Sequence, residues 1–207
     1  MIKRLIIIGA GGHGKVVADI AMRMKKWGKI SFLDDDESKK TCIGLKIIGK
    51  IEDALKYKDE ADFFVAFGDN SVRQNFQVKL EKEGYSIAKL IHPSAIIGME
   101  VSVDNGTVVM AGVVINCLSK IGKGCIINTS SSLDHNNTIE DYVHISPGAH
   151  LAGTVRIGTG NWIGMGCVIS NNVNVCKGCL VGAGAVILNN INEAGTYVGV
   201  PVSKIGQ

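Results

Sequence analysis

Between Ile91 and Ile187 every sixth residue is Ile, Val or Leu, and the register never slips. The run begins Ile91, Ile97, Val103, Val109, Ile115 and continues through Ile127, Leu133, Ile139, Ile145 and Leu151 to Ile169, Val175, Val181 and Ile187. Four residues beyond each aliphatic stands a compact residue, among them Thr107, Ser119, Cys125, Asn137, Ala149, Asn161, Cys167, Cys179 and Ala185. An amphipathic helix repeats at about 3.6 residues and a half-buried strand at about 2. A period of six with one aliphatic and one small inward position is the hexapeptide pattern of a parallel β-helix. Three hexads make a triangular coil of about 18 residues, each aliphatic stacking on its equivalent in the next coil.

A chain of 207 residues can hold two small cores. The reading is an α/β domain over residues 1–88 and an all-β parallel helix over 89–207. A formal charge of +3 with no Lys/Arg cluster gives no nucleic-acid face. The opening MIKRLIIIGAGG is too short in its apolar run for a secretory signal and leads into a glycine turn, so it reads as a strand. No stretch reaches membrane-spanning length, and the expected compartment is the cytoplasm. Three of the six cysteines, Cys125, Cys167 and Cys179, fall in the small inward slot, where a thiol is a compact hydrophobe. Cys176, beside an inward aliphatic, is expected on the other side of the wall, and no second CxxC or His completes a metal set.

Ahead of the hexads, an apolar run from Lys3 to Ile8 leads into Gly9-Ala10-Gly11-Gly12-His13-Gly14-Lys15 and then a helical pattern from Val17 to Met24. Further strands are expected at Ile30–Leu33 and Asp62–Phe67, with helices at Ile51–Tyr57 and Ser71–Glu83, giving a βαβαβ unit with a parallel sheet. Gly9, Gly11 and Gly14 match G-x-G-x-x-G, and Asp34 stands where an acidic residue would meet a ribose. Glycines let backbone approach a pyrophosphate, and a helix N-terminus offers it free N–H groups. Fewer than about 90 residues suffice for one mononucleotide-binding half, so a nucleoside diphosphate fits better than a dinucleotide.

In the hexad region His135 stands two residues past inward Leu133, and Gly153 lies one coil further on. An outward His beside a glycine is expected to leave open space and a reachable N–H, as acyl transfer needs: a base, room for a carbonyl and an oxyanion donor. His135 and His144 are nine residues apart, half a coil, so they belong to different sides of one prism. If both serve one site, that site forms between two prisms, and a threefold ring of chains would close such contacts. No Gly-x-Ser-x-Gly elbow marks a hydrolase.

The loop GAGGHGK, FLDD after the second strand, NTSSSLDH, HISPGAHLAG and the closing VGVPVSKI together resemble one family over nearly the whole chain. It is the bacterial hexapeptide acyltransferases of nucleotide-linked amino sugars, with the similar sialic-acid O-acetyltransferases. The resemblance implies a left-handed β-helix, a homotrimer, acetyl-CoA as donor, and three sites at subunit interfaces; with no metal set among the cysteines, no metal is expected. By position, His135 is implied as general base. Gly11, Gly12, His13, Asp34, Asp35 and Gly68 match the segments that hold the nucleotide sugar. His144, Gly153, Met165, Ala183 and Lys204 match contacts along acetyl-CoA. One departure stands out: the family usually follows its catalytic His with a carboxylate, and here the neutral Asn136 takes that place.

The resulting expectation is acetyl transfer from acetyl-CoA to the amine of a UDP- or other NDP-linked amino-deoxy sugar, for surface glycan assembly. Sialic-acid O-acetylation is the alternative on the same scaffold. From other classes come a silent nucleotide-sugar-binding protein and an NAD-dependent oxidoreductase built on the glycine loop.

Overall fold

The computed structural model describes residues 3–206. Met1, Ile2 and Gln207, which the two expected domains include, lie outside the described residues. The chain divides into two compact units, Met1–Pro93 and Ser94–Gln207. Residues 89–93 thus go with the first unit, where fully buried Leu90 sits in a short strand that contacts the first helix.

In that unit β1 (Arg4–Ile8) leads to α1 (Gly12–Met24) and β2 (Lys29–Leu33). A small hairpin follows, β3 (Thr41–Cys42) and β4 (Leu45–Lys46), then a 3-10 helix (Ile51–Tyr57), β5 (Ala61–Val65), α2 (Asn70–Lys82) and β6 (Leu90–Ile91). The sheet is parallel in the order β2-β1-β5, with Ile6 beside Ser31 on one side and Phe63 on the other. Leu5 to Ile8 are all fully buried because both faces of a parallel sheet are covered. Ile6 and Ile8 pack with Phe63, Val65, Ala54 and Leu80. The hairpin turns at Ile43 (φ 42) and Gly44 (φ 79), the paired left-handed conformations of a two-residue turn. An Ile rarely adopts that conformation, which is why the hairpin is not legible in the sequence.

The direction in which strands are added reverses about β1, since β2 lies on one side of it and β5 on the other. The loops leaving the strand ends, Gly9 to Gly12 after β1 and Phe67 to Asp69 after β5, therefore lie side by side, at the position where parallel α/β sheets hold ligands.

The second unit is a parallel β-helix. Val114 pairs with Ser132, Lys120 with Thr138 and Ile126 with His144, each 18 residues on, and these columns define three faces. From Val109 to Ile187 the inward aliphatics are no more than 2% exposed, and each contributes roughly 1.5–3 kcal/mol through burial. Ile91 and Ile97, before the stack is complete, are only half-buried.

A second period of six appears in the backbone. Residues 100, 106, 112, 118, 124, 130, 136, 142, 148, 154, 160, 166, 172, 178 and 184 all have positive φ, turning the chain at each corner. Glycine fills many of these positions; Asn136 (φ 61) and Asn172 (φ 62) are among the rest, and Asn tolerates the left-handed region.

The small inward slots join successive coils. Thr107 Oγ1 donates to the Gly122 carbonyl and accepts from Cys125 N–H. Ser119 does the same toward Asp134 and Asn137, and Asn161 toward Cys176 and Cys179. Cys125 and Cys167 follow suit, their thiols donating to the carbonyls of Glu140 and Gly182. Buried polar slots are thereby satisfied without water. Strands Gly195–Val198 and Ser203–Ile205 pair antiparallel and finish the prism.

The faces differ outside. Ser102, Lys120, Thr138, Arg156 and Asn174 line up on one, a polar column suited to water. The face of Ser132 and His150 leaves Ile96 and Val168 63% and 45% exposed.

Candidate active site

His135 stands at a corner between the Ser132 and Thr138 strands, held by the two residues beside it. Asp134 Oδ1 accepts its backbone N–H at 2.9 Å, and Asn136 Oδ1 lies 2.9 Å from its ring Nδ1. With a carbonyl oxygen facing Nδ1, the proton sits on Nδ1 and Nε2 keeps its lone pair. Asn136 thus selects the tautomer a general base needs, while bringing no charge. Asp134 stays ionised, its carboxyl held below the usual range by the Asn116 amide and then by the His135 N–H.

Gly153 does not face open space, as the sequence suggested: the His135 ring lies over it. A Cβ there would stand 2.6 Å from Cε1 and 2.7 Å from Nε2 of the imidazole. The expectation failed because coil register places residues but not rotamers. At several positions two past an inward aliphatic a side chain caps the backbone N–H. Lys123 is capped by Asp141, Thr129 by Asn128, His135 by Asp134 and Thr159 by Glu140. The Gly153 N–H has no acceptor among the described residues.

His144 lies on another face, in the column of Ile126 and Trp162. Its ring meets that of Trp162 at 4.8 Å between centroids, and its Nε2 lies 3.1 Å from Asn128 Nδ2. It is 8% exposed, while Trp162 and Leu180 along the same column are 40% and 48% exposed. Met165 and Ala183, 18 apart and both exposed, occupy equivalent corners beside this face. One prism does not bring His135 and His144 together. Lys204 is paired with Glu193 at 3.1 Å, which raises its pKa.

In the first unit each glycine of the loop has its own constraint. Gly9 needs its φ of 99°, and Gly14 has no room for a side chain because a Cβ would strike the Gly9 carbonyl. Gly11, Gly12 and Gly68 would meet nothing within 4 Å, so these three front open space. Helix α1 starts at Gly12 with no side-chain cap on its N–H groups and no acidic residue in its first turn, a setting that favours an anion. His13, half-buried, stands in that first turn.

Asp34, expected to face a ribose, instead binds its own loop. Its Oδ2 accepts the Ala10 N–H at 2.6 Å and its Oδ1 the Asp36 N–H at 2.9 Å. Asp35 is exposed, receives the Ile51 N–H, and lines a cavity walled by Ile8, Leu55, Phe76 and Tyr85.

Sequence reasoning missed three supports. Arg73 is fully buried and donates to the carbonyls of Phe67 and Gly68 and to Asn70 Oδ1, bracing the loop that ends at Gly68. Asn116 holds Asp134 from 18 residues away, and Asn128 holds His144. The coil register contained the signal for Asn116; nothing local marked Arg73. Cys176 also departs from expectation. Its sulfur lies 3.7 Å from that of Cys179, in a stretch where the next coil is short, Val175 pairing with Ile191 only 16 residues on. Burial together with the Cys176 thiol pushes Cys179 up to about 12. Among the described residues no three His, Cys, Asp or Glu side chains gather as a metal set, and no helix is long and apolar enough to cross a membrane.

Comparison with known proteins accounts for both units at once. Residues 4–80 match the family model described as the PglD N-terminal domain. The acetyltransferase domain of PglB from Neisseria gonorrhoeae, a structure in complex with acetyl coenzyme A, is 37% identical with a TM-score of 0.94, covering 99% of this chain and 100% of that one. The chain belongs to the nucleotide-sugar acetyltransferases of the hexapeptide-repeat type. Its solenoid is the left-handed β-helix of this family. A further member, PerB from Caulobacter crescentus in complex with CoA and GDP-perosamine, is 32% identical with a TM-score of 0.93, covering 100% of this chain and 99% of its own. Among curated members, the UDP-N-acetylbacillosamine N-acetyltransferase of Bacillus subtilis is 34% identical over 114 residues, 53% of this chain and 52% of that protein. Family members thus carry both guanosine- and uridine-linked sugars in their names.

Proposed function

We propose that this enzyme transfers the acetyl group of acetyl-CoA to the amine of an amino-deoxy sugar carried on a nucleoside diphosphate. The observation that carries the reading is the pairing of His135 with Gly153: an imidazole whose Nδ1 faces the Asn136 carbonyl oxygen, against a glycine whose N–H has no acceptor among the described residues. His135 Nε2 takes a proton from the amine as its nitrogen attacks the thioester carbonyl. The Gly153 N–H steadies the oxyanion, worth roughly 3 kcal/mol for a single such donor. The C–S bond then breaks and the CoA sulfur leaves, with the proton on His135 available to it.

In the first unit, the N–H groups opening α1 take the diphosphate, with Gly11, Gly12 and Gly68 leaving room and His13 beside it. The cavity beside Asp35, with apolar walls at Ile8, Leu55, Phe76 and Tyr85 and charged groups at Lys50, Glu52, Lys79 and Glu83, suits the nucleobase. Asp34 keeps the loop in shape, and this also argues against an NAD-dependent oxidoreductase, which would need that carboxylate for a ribose.

The donor runs along the His144 face, past Trp162, Met165 and Ala183, with Lys204 released from Glu193 to meet a CoA phosphate. Because His135 and His144 lie on different sides of one prism, the site joins two chains, and a closed homotrimer supplies three such sites. Exposed Ile96 and Val168 support a contact between copies on their face. The free cysteines suit a reducing compartment, and we place the enzyme in the cytoplasm, feeding surface glycan assembly. The test is thiol release from acetyl-CoA with GDP- and UDP-linked amino sugars, beside sialic acid. N-acetylated product from a nucleotide amino sugar is expected; activity on sialic acid alone would overturn the reading.

A further inference from the structure

The neutral Asn136 leaves the charge balance of His135 to another group. Asp134 is the carboxylate bonded to this residue, and it is fixed from two coils. Its Oδ1 accepts both the His135 N–H at 2.9 Å and the Asn116 Nδ2 at 2.8 Å. Its backbone carbonyl accepts Ser119 Oγ at 3.0 Å and Asn137 Nδ2 at 2.6 Å. Asn116 lies one full coil before Asp134, in the neighbouring turn of the stack, so the carboxylate is pinned between its own coil and the preceding one. Held in this way, the half-buried side chain keeps its anion at the corner where His135 stands.

Of the other charged groups around this corner, Arg156 and His150 have partners of their own. Lys120 and Arg156 flank Thr138 in the strand that follows it, and Arg156 is bound to Glu140. His150 flanks Ser132 in the strand that precedes it and meets the Ser132 hydroxyl at 2.8 Å.

We propose that Asp134, locked by Asn116, is a positioning residue that fixes the His135 backbone and supplies the negative charge Asn136 lacks. Orientation and charge, which one carboxylate can provide together, are here divided: Asn136 sets the tautomer and Asp134 favours the imidazolium as the proton arrives. This rests on His135 acting as the base, so its test includes a readout independent of turnover.

That readout is the NMR titration of the His135 ring, recorded beside the pH profile of kcat/KM. In Asp134→Asn both midpoints should fall by roughly 0.5–1 pH unit, because removing a nearby anion disfavours the charged ring. Asn116→Ala, which keeps the carboxylate but frees it, should move both the same way by less. Adding Asn136→Asp to Asp134→Asn should bring the midpoints back up. A folded Asp134→Asn variant whose His135 titrates unchanged overturns the proposal. If Asp134→Asn does not fold, an unchanged titration in Asn116→Ala overturns it equally. Should His135→Ala keep its turnover, the base assignment fails, yet the ring titration in Asp134→Asn still decides whether the two side chains are coupled.

Discussion

The His135 imidazole rests on Gly153, one coil away, so closely that a single added carbon would stand 2.6 Å from Cε1 and 2.7 Å from Nε2. The glycine therefore does two things. It makes room for the ring, and its N–H has no acceptor among the described residues. The two residues come from stacked hexads, so the separation of their backbones is set by the coil and not by a mobile loop.

Gly153→Ala should consequently act on the reaction and spare the fold. The clash is with the end of a side chain, which can swing outward, so Tm should stay within a few degrees. Turnover should drop by about 10–10²-fold as the base leaves its position. Steady-state rates with a parallel thermal melt measure both; an unaffected rate would show that the ring need not lie over this residue.

His135→Ala should reduce turnover by about 10²–10⁴-fold, the usual range for a positioned acid–base group. Affinity for CoA should change little, which calorimetric titration can check. Near-normal turnover would remove His135 from the chemistry.

Asn136 sits at a left-handed corner, so replacements there act on the backbone as well as on charge. Asp tolerates this conformation, whereas Glu is strained there by roughly 1–2 kcal/mol. Asn136→Asp should raise the midpoint of the acid limb of kcat/KM with Tm nearly unchanged, because an adjacent anion favours the imidazolium. Asn136→Glu should lower Tm by a few degrees. Equal melting temperatures for the two variants would argue against a strained corner.

A site shared between chains, as proposed, predicts complementation. If His135→Ala and His144→Ala each disable the enzyme, mixed rings will contain interfaces with an intact His135 facing an intact His144. Random assembly of equal amounts makes roughly a quarter of interfaces intact. Unfolding and reassembling the two variants together should restore about that fraction of activity, and mixing without exchange should restore none. Confirmed exchange with no gain would separate the two histidines.

Asp62 offers a pH test of the first unit. Burial raises its pKa, but bonds from Lys3, Ser86 and Trp27 outweigh that and hold the carboxyl below its ordinary value. A carboxyl depressed on folding contributes stability above its unfolded pKa, near about 4, and loses it as pH falls through the lower folded value. Asp62→Asn should therefore flatten the acid limb of Tm below about pH 4, measured by calorimetry. An acid limb as steep as that of the parent protein would mean the carboxylate is not held as described.

The hexad register by itself determined the solenoid. An aliphatic at Leu133, Ile139 and Ile145 can be buried at every sixth position only if the chain turns a corner each time, and strand pairing then follows at 18 residues. The same arithmetic put Gly153 next to His135 and separated His135 from His144. It also contained the glycines of the left-handed corners, such as Gly148, Gly160 and Gly166, although their period is less visible than that of the aliphatics. What only the tertiary structure decided is where side chains turn once they leave the wall. Whether the His135 ring covers Gly153, whether Asp34 faces a ligand or the Ala10 N–H, and whether Cys176 meets Cys179 depend on rotamers and local coil length. The periodic burial that fixes the backbone acts on inward positions alone. Outward groups are placed by hydrogen bonds between coils, such as Asn116 to Asp134, and those bonds exist only after the coils have stacked.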